Sequence, residues 1–277
     1  MEDTGAAALA NQGGLPEYDR PPVVEVALAV EFKHSIEIRS LELGPLAIAW
    51  SDLLPHAKER PLQSRKGYIH DDELLDALFG IEETASYPPR LWMQNDAGDQ
   101  VVQIQHDRLV VNWLKGEGQY PRYVSIRERL RDSWERLVGV CGEIGLDEPI
   151  PFLCEAQYIN QLGPDQGWSS PEDTERLIAL WRGLEDGSYL PRNHLGSFSF
   201  HCHFPEQREG SLSIDGFCSG DPEAEMKMTI NLTAHGQALS ENFESALEFM
   251  DYAHIWIVEG FTAVTTETAH DIWGRTR

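Results

Sequence analysis

Ten residues, Val23 to Phe32, alternate in side-chain character with a period of two. Val24, Val26, Leu28, Val30 and Phe32 fall on one side, and Glu25, Ala27, Ala29 and Glu31 on the other. That period belongs to a strand with one face buried. Pro21 and Pro22 favour an extended entry into it. A second long strand of this kind reads from Phe152 to Leu162. The chain must therefore build sheet with a covered face, and the cover must come from segments of helical period.

Such segments follow each strand. Pro45 sits where a first helical turn tolerates proline, and Leu46, Trp50, Leu53 and Leu54 follow at helical spacing. A polar loop comes next, with a short helix expected over Asp71 to Phe79. Three strands are then expected, at Arg90 to Gln94, Gln100 to His106 and Arg108 to Leu114, with Asn95 to Asp99 turning between the first two. A helix from about Ser125 to Gly142 carries the stripe Ile126, Leu130, Trp134, Leu137, Val138 and Cys141, with Gly142 as its stop.

The order then returns. After Phe152 to Leu162, Ser170 caps a helix with Pro171 in its first turn, Asp173 at the capping-box position, and Leu177, Ile178, Trp181 and Leu184 as its stripe. Strands are expected at Gly196 to Phe204, Ser211 to Phe217 and Lys227 to Thr233. A long helix begins near Glu241 and runs through Leu247, Met250, Ile257 and Phe261. The expected class is α+β with two related halves, each strand, helix, three strands, helix, and with antiparallel sheets backed by helices that can join edge to edge. The expected division is a flexible tail over 1–20, a first half over 21–147 and a second over 148–277. Val110 to Leu114 parallels Thr229 to Thr233, which equates Asn112 with Asn231; Glu25 and Glu155 are expected to correspond in the leading strands.

Charge narrows the partners. Lys+Arg number 22 against 46 Asp+Glu, a formal net charge of -24 over 277 residues. A nucleic-acid backbone is bound mainly by neutralising it with Lys and Arg, so duplex nucleic acid is excluded as an expected partner, and no basic run is present. The same field attracts basic proteins. No apolar stretch approaches the ~20 residues needed to span a bilayer. Cys141, Cys154, Cys202 and Cys218 lack C-x-x-C spacing and sit mostly in apolar runs, which reads as reduced core residues and a cytoplasmic location.

Several motifs resemble an uncharacterised, sporadically distributed bacterial family of about this length. They are Pro-Pro-Val-Val-Glu-Val at Pro21 to Val26; the set Gln103, Gln105, Asp107, Arg108, Asn112 and Trp113; Tyr-Pro-Arg-Tyr at Tyr120 to Tyr123; and a terminal stretch from Ala253 to Arg275. The resemblance implies no activity. The family's patchy occurrence implies an association with mobile or defence-related genes.

Three constellations are candidates for function. The first is the outer face of the second sheet, with His201 and His203 on one strand, Asp215 and Asn231 on its neighbours and Glu155 on the leading strand. His201, His203 and Glu155 offer imidazole and carboxylate ligands suited to a divalent metal, and the competing reading is a solvated sheet face. The second is the C-terminal pair His254 and His270, read either as acid/base groups or as packing and capping residues. The third is Glu25, Gln103, Gln105, Arg108 and Asn112, with Arg108 expected to pair with Glu25 or with a ligand carboxylate. Phosphate-loop, dinucleotide, nucleophile-elbow and zinc-protease motifs are missing from the sequence, and no cofactor is implied beyond that metal. The reading is a non-enzymatic binding or interaction protein for a basic protein partner, in a defence or toxin–antitoxin-like setting. The alternatives are a metal-dependent hydrolase and a small-ligand sensor.

Overall fold

A computed structural model describes residues 14–62, 90–181, 196–205, 209–220 and 226–277. The expected helix at Asp71 to Phe79, the stripe residue Leu184 and the first 13 residues of the expected tail lie outside these.

The strands are β1 (Val23–Phe32), β2 (His56–Arg60), β3 (Arg90–Gln94), β4 (Gln100–Gln105), β5 (Arg108–Leu114), β6 (Pro151–Leu162), β7 (Ser197–His203), β8 (Gly210–Gly220) and β9 (Met226–Gln237). All nine form one antiparallel sheet in the order β2-β3-β4-β5-β1-β6-β9-β8-β7. The two expected sheets are thus one, joined where the two leading strands pair, with Leu28 opposite Ala156. Read from β3 inward or from β7 inward, three meandering strands lead to a leading strand. The strand β2 is an addition at the first edge that the sequence reading missed. Its residues, His-Ala-Lys-Glu-Arg, are exposed, so no burial pattern marks them.

The helices α1 (Leu43–Trp50), α2 (Arg122–Ile144), α3 (Thr174–Leu177), α4 (Phe243–Val264) and α5 (Glu267–Trp273) complete the described elements. The two long ones, α2 and α4, lie on one sheet face, α2 over β5 and β1 and α4 over β6, β9 and β8. They cover the alternate residues Val26, Leu28, Val30 and Phe32 of β1 and Cys154, Ala156 and Tyr158 of β6, all buried. Trp134 of α2 is buried and stacks on Phe243 of α4 with centroids 4.6 Å apart. The α2 helix runs past Gly142 and ends at Gly145, whose φ of 75° is the left-handed cap that glycine allows. Asn242 caps α4 by accepting from the Ser245 N–H, and Thr266 caps α5 by accepting from Ala269.

Three expectations are corrected here. The helix expected from Ser170 lasts only one 3-10 turn and α3, because Ile178 turns extended and bridges to Thr265, so a tertiary backbone pairing overrides the helical stripe. The segment Leu15 to Arg20 is not tail. Leu15 and Tyr18 are buried, and Asp19 and Arg20 donate backbone bonds to Gly274 and Trp273. The alternation that turns His201 and His203 outward predicts Phe200 inward, yet Phe200 is 43% exposed on the edge strand β7.

Register also shows that the two expected correspondences cannot both hold. Asn112 pairs with Ala27 of β1, and Asn231 pairs with Ile159 of β6. Laying one asparagine over the other places Ala27 on Ile159 and therefore Glu25 on Gln157. The expected matches of Asn112 with Asn231 and of Glu25 with Glu155 are therefore two residues out of step, one pleat repeat along the same face. A one-residue slip would have exchanged faces, and that did not occur.

Candidate ligand-binding site

The helix-covered face holds a cavity of about 350 Å³ where the two halves meet. Its walls are the N-terminal segment up to Val23, the start of α2, β6 and β9, and one stripe of α4. That stripe is His254, Ile257, Val258 and Phe261, spaced i, i+3, i+4 and i+7, so one helix face supplies it. On β6, Tyr158 and Asn160 occupy inward positions between the apolar Ala156 and Leu162. At the start of α2, Tyr120 and Tyr123 flank Arg122, whose φ of 69° is left-handed. Such a backbone at a non-glycine residue costs about 1–3 kcal/mol and is common at binding sites.

Polar groups in this region are few and individually placed. Asp251, wholly buried, accepts from the Tyr123 hydroxyl (2.7 Å) and from Arg127 Nε and Nη2 (2.7 and 2.9 Å). This bond set ties α2 to α4 behind the cavity wall. Burial and the Asp251 charge together push the Tyr123 hydroxyl well above the usual tyrosine range. His254 stacks on the Tyr123 ring, with centroids 4.1 Å apart and planes within 7°. Its Nδ1 shares a hydrogen bond of 2.9 Å with the Tyr158 hydroxyl. Burial holds its pKa down to about 3, so the ring is neutral at physiological pH. Among the described residues no group bonds its Nε2, and the ring lines the cavity. The Tyr120 hydroxyl is buried without a well-formed hydrogen bond, although the Tyr158 hydroxyl is near enough to lower its pKa; burial still takes it up to about 12.

The outer face of the sheet holds the other candidates, in two separate groups. In the first half, Gln103, Gln105, Arg108 and Asn112 are all buried. Gln103 Nε2 donates to Asn112 Oδ1 (2.6 Å), and Asn112 Nδ2 donates to Glu25 Oε1 (2.8 Å). Gln105 donates to Asp107 (2.7 Å). Arg108 pairs with Glu31 (3.2 Å) rather than Glu25, because the β1–β5 register sets Glu31 directly opposite it. Burial raises the Glu25 pKa, partly countered by Asn112.

In the second half, His201 and His203 stand on β7, the strand furthest from the seam between halves. His201 bonds Ser213 (3.0 Å), and Ser199 donates to Asp215 (2.6 Å). Ser211, His235 and Glu155 lie in one row with His203, on β8, β9 and β6. With neighbouring strands ~4.8 Å apart, Glu155 is about 14 Å of sheet away from His203. His201, His203 and Glu155 therefore do not converge on one ion, and the described residues contain no group of three or more His, Cys, Asp or Glu placed to hold a metal. Asn231 lies beside Asp215 in register, and its Oδ1 is buried without a partner.

His270 belongs to neither group. It is buried, with Nε2 bonded to Thr265 Oγ1 (2.9 Å), and it secures the junction of α4 with α5. The fold also assembles a local basic cluster that no run in the sequence announces. Lys58, Arg60 and Arg90 stand 5.7, 6.0 and 5.7 Å from the Trp92 ring centre.

Of the sequence candidates, only His254 lies in the cavity. Tyr120, Tyr123, Tyr158 and Asn160 were missed as site residues. A polar side chain at an inward position of β6, and two tyrosines bracketing the start of a helix, were the signals that pointed to them. Compared with models of known protein families and with curated proteins, the chain matches none.

Proposed function

We propose that this protein is a non-enzymatic binding protein that holds a small molecule in the cavity between its two halves. One observation carries the reading: a mostly apolar cavity of about 350 Å³ lined by a fixed, neutral histidine whose Nε2 is unbonded among the described residues and by a tyrosine whose buried hydroxyl has no well-formed hydrogen bond. Ligand sites are concave, largely apolar and furnished with a few placed polar groups, and they start at about 300 Å³. Left-handed Arg122, between two lining tyrosines, fits the same reading. A metal-dependent hydrolase built on His201, His203 and Glu155 has no such support, since Glu155 on β6 stands three strands away from the two histidines of β7.

The test is ligand-induced thermal stabilisation across a library of small metabolites, with Val258→Phe as a variant that fills the cavity. Val258 is half-buried in the cavity wall, so the larger side chain enters empty space. At least one compound should raise the Tm of the native chain and none of the responders should act on Val258→Phe. Responses that survive the filling, or a library without responders, overturn the proposal.

The charge of -24 favours a second reading, capture of a basic protein. Association by that route weakens steeply as salt shortens the Debye length from ~30 to ~8 Å. A partner whose affinity ignores salt counts against it.

A further inference from the structure

Resting on the cavity reading above, we infer that the ligand is an uncharged, flat, hydroxyl-bearing molecule of about bicyclic size, its hydroxyl seated between Tyr120 Oη and His254 Nε2.

Size comes first. An apolar cavity of ~150 Å³ holds benzene. One of about 350 Å³ therefore takes roughly two fused rings. The walls suit a flat apolar body, because Tyr18, Tyr123, Tyr158 and Phe261 present rings to it.

Charge comes second. The polar groups inside are the hydroxyls of Tyr120 and Tyr158, the Asn160 amide and the His254 ring. The tyrosines stay protonated and the histidine stays neutral at ordinary pH, for the reasons of burial already given. Asp251 and Arg127 neutralise each other behind the wall. The two charged lining residues are of opposite sign: Glu17, which pairs with Arg277 at 2.6 Å, and the exposed Arg122. A charged ligand would lose its hydration and meet no buried countercharge, a penalty that a neutral one avoids.

The polar group comes third. With Nδ1 committed to Tyr158 and the ring plane fixed by Tyr123, Nε2 is a donor in one tautomer and an acceptor in the other. The Tyr120 hydroxyl can likewise give or accept. A ligand hydroxyl satisfies every combination. A purely apolar ligand would leave both protein atoms buried and unpaired.

Calorimetric titration of the full-length chain at neutral pH with 2-naphthol, naphthalene and 2-naphthoate tests this. The expectation is binding of 2-naphthol, about 10-fold weaker binding of naphthalene, and binding of 2-naphthoate at least about 100-fold weaker. Tyr120→Phe removes only a hydroxyl and should bring 2-naphthol toward the naphthalene value while leaving naphthalene unchanged. His254→Phe, which keeps a stackable ring, should do the same. Equal binding of 2-naphthol and 2-naphthoate, blocked by Val258→Phe, overturns the inference and leaves the cavity proposal standing. So does failure of all three while some other small molecule binds and is blocked by that variant. If no small molecule binds and is blocked by it, both fall.

Discussion

The two faces of the sheet treat polar groups in opposite ways. On the helix-covered face they are few, and most are tied to a named partner: Asp251 to Arg127 and Tyr123, His254 to Tyr158. On the outer face they are many, and their burial differs between the halves: Gln103 and Asn112 of the first are buried, Glu155 and Gln157 of the second are half-buried, and His201 and His203 at the β7 edge are exposed. Residue type alone does not rank these groups; burial and the presence of a partner do. A polar atom in a buried, bonded position is costly to orphan, and the same atom on a wet edge strand is nearly free to change.

The largest expected effect tests the covered face. Asp251→Ala should cost about 3–5 kcal/mol in denaturant unfolding, because it strands the Arg127 charge and the Tyr123 hydroxyl. Replacing Arg127 and Asp251 together with apolar residues of similar volume should recover most of that loss. A single Asp251→Ala variant as stable as the native chain would remove the contrast between faces.

The next effect is one of pH. The folded His254 pKa of about 3 lies below the ordinary value of 6.5, so the unfolded chain takes up a proton first as pH falls. The stability linked to this group is fully present above 6.5 and is lost progressively as pH falls toward about 3, by up to about 1.4 kcal/mol per pH unit. His254→Phe should flatten that part of the acid limb in unfolding curves taken between neutral and pH 4. An unchanged acid slope would mean that the ring takes up its proton in the fold as easily as in water.

On the outer face, paired positions of the two halves sharpen the point. Asn112→Ala should cost about 1–3 kcal/mol, since it unpairs both Gln103 and Glu25. Asn231→Ala removes an amide whose oxygen is already unpartnered and should cost clearly less. Equal losses at the two positions would show that topology, and not bonding, sets their worth. Smallest of all, His201→Ala with His203→Ala should change stability by no more than about 0.5 kcal/mol, as read by Tm.

Much of this was legible in the chain. The alternation of β1, β3 and β6 follows from period two, and the stripes of α2 and α4 from period 3.6. What the local pattern could not carry was pairing. Glu31 takes Arg108 because of a register between residues far apart in sequence, and the registers of the two halves put the Asn112–Asn231 and Glu25–Glu155 matches two residues out of step. His201 and His203 do alternate outward as expected, yet the strand order sends them to an edge and not to the meeting of the halves. The cavity escaped for a related reason. Its residues come from five separate stretches, and His254 reads as one of several histidines until the fold brings Tyr123 and Tyr158 to it.

The pairing of β1 with β6 has a consequence for the molecule in pieces. If the chain were cut in the connection between α2 and β6, each fragment would keep its own meander but lose the neighbour of its leading strand. Ten residues of β1 and twelve of β6 would become bare edges of unpaired amides and carbonyls. Each is the template for the other, and, being antiparallel, each can also template a second copy of itself. The uncut connection thus acts as a matchmaker, fixing the heterologous pairing over self-pairing by keeping the right strand at high local concentration. A small molecule lodged across the seam would strengthen that choice, since it touches Tyr120 and Tyr123 from one fragment and Tyr158 and His254 from the other.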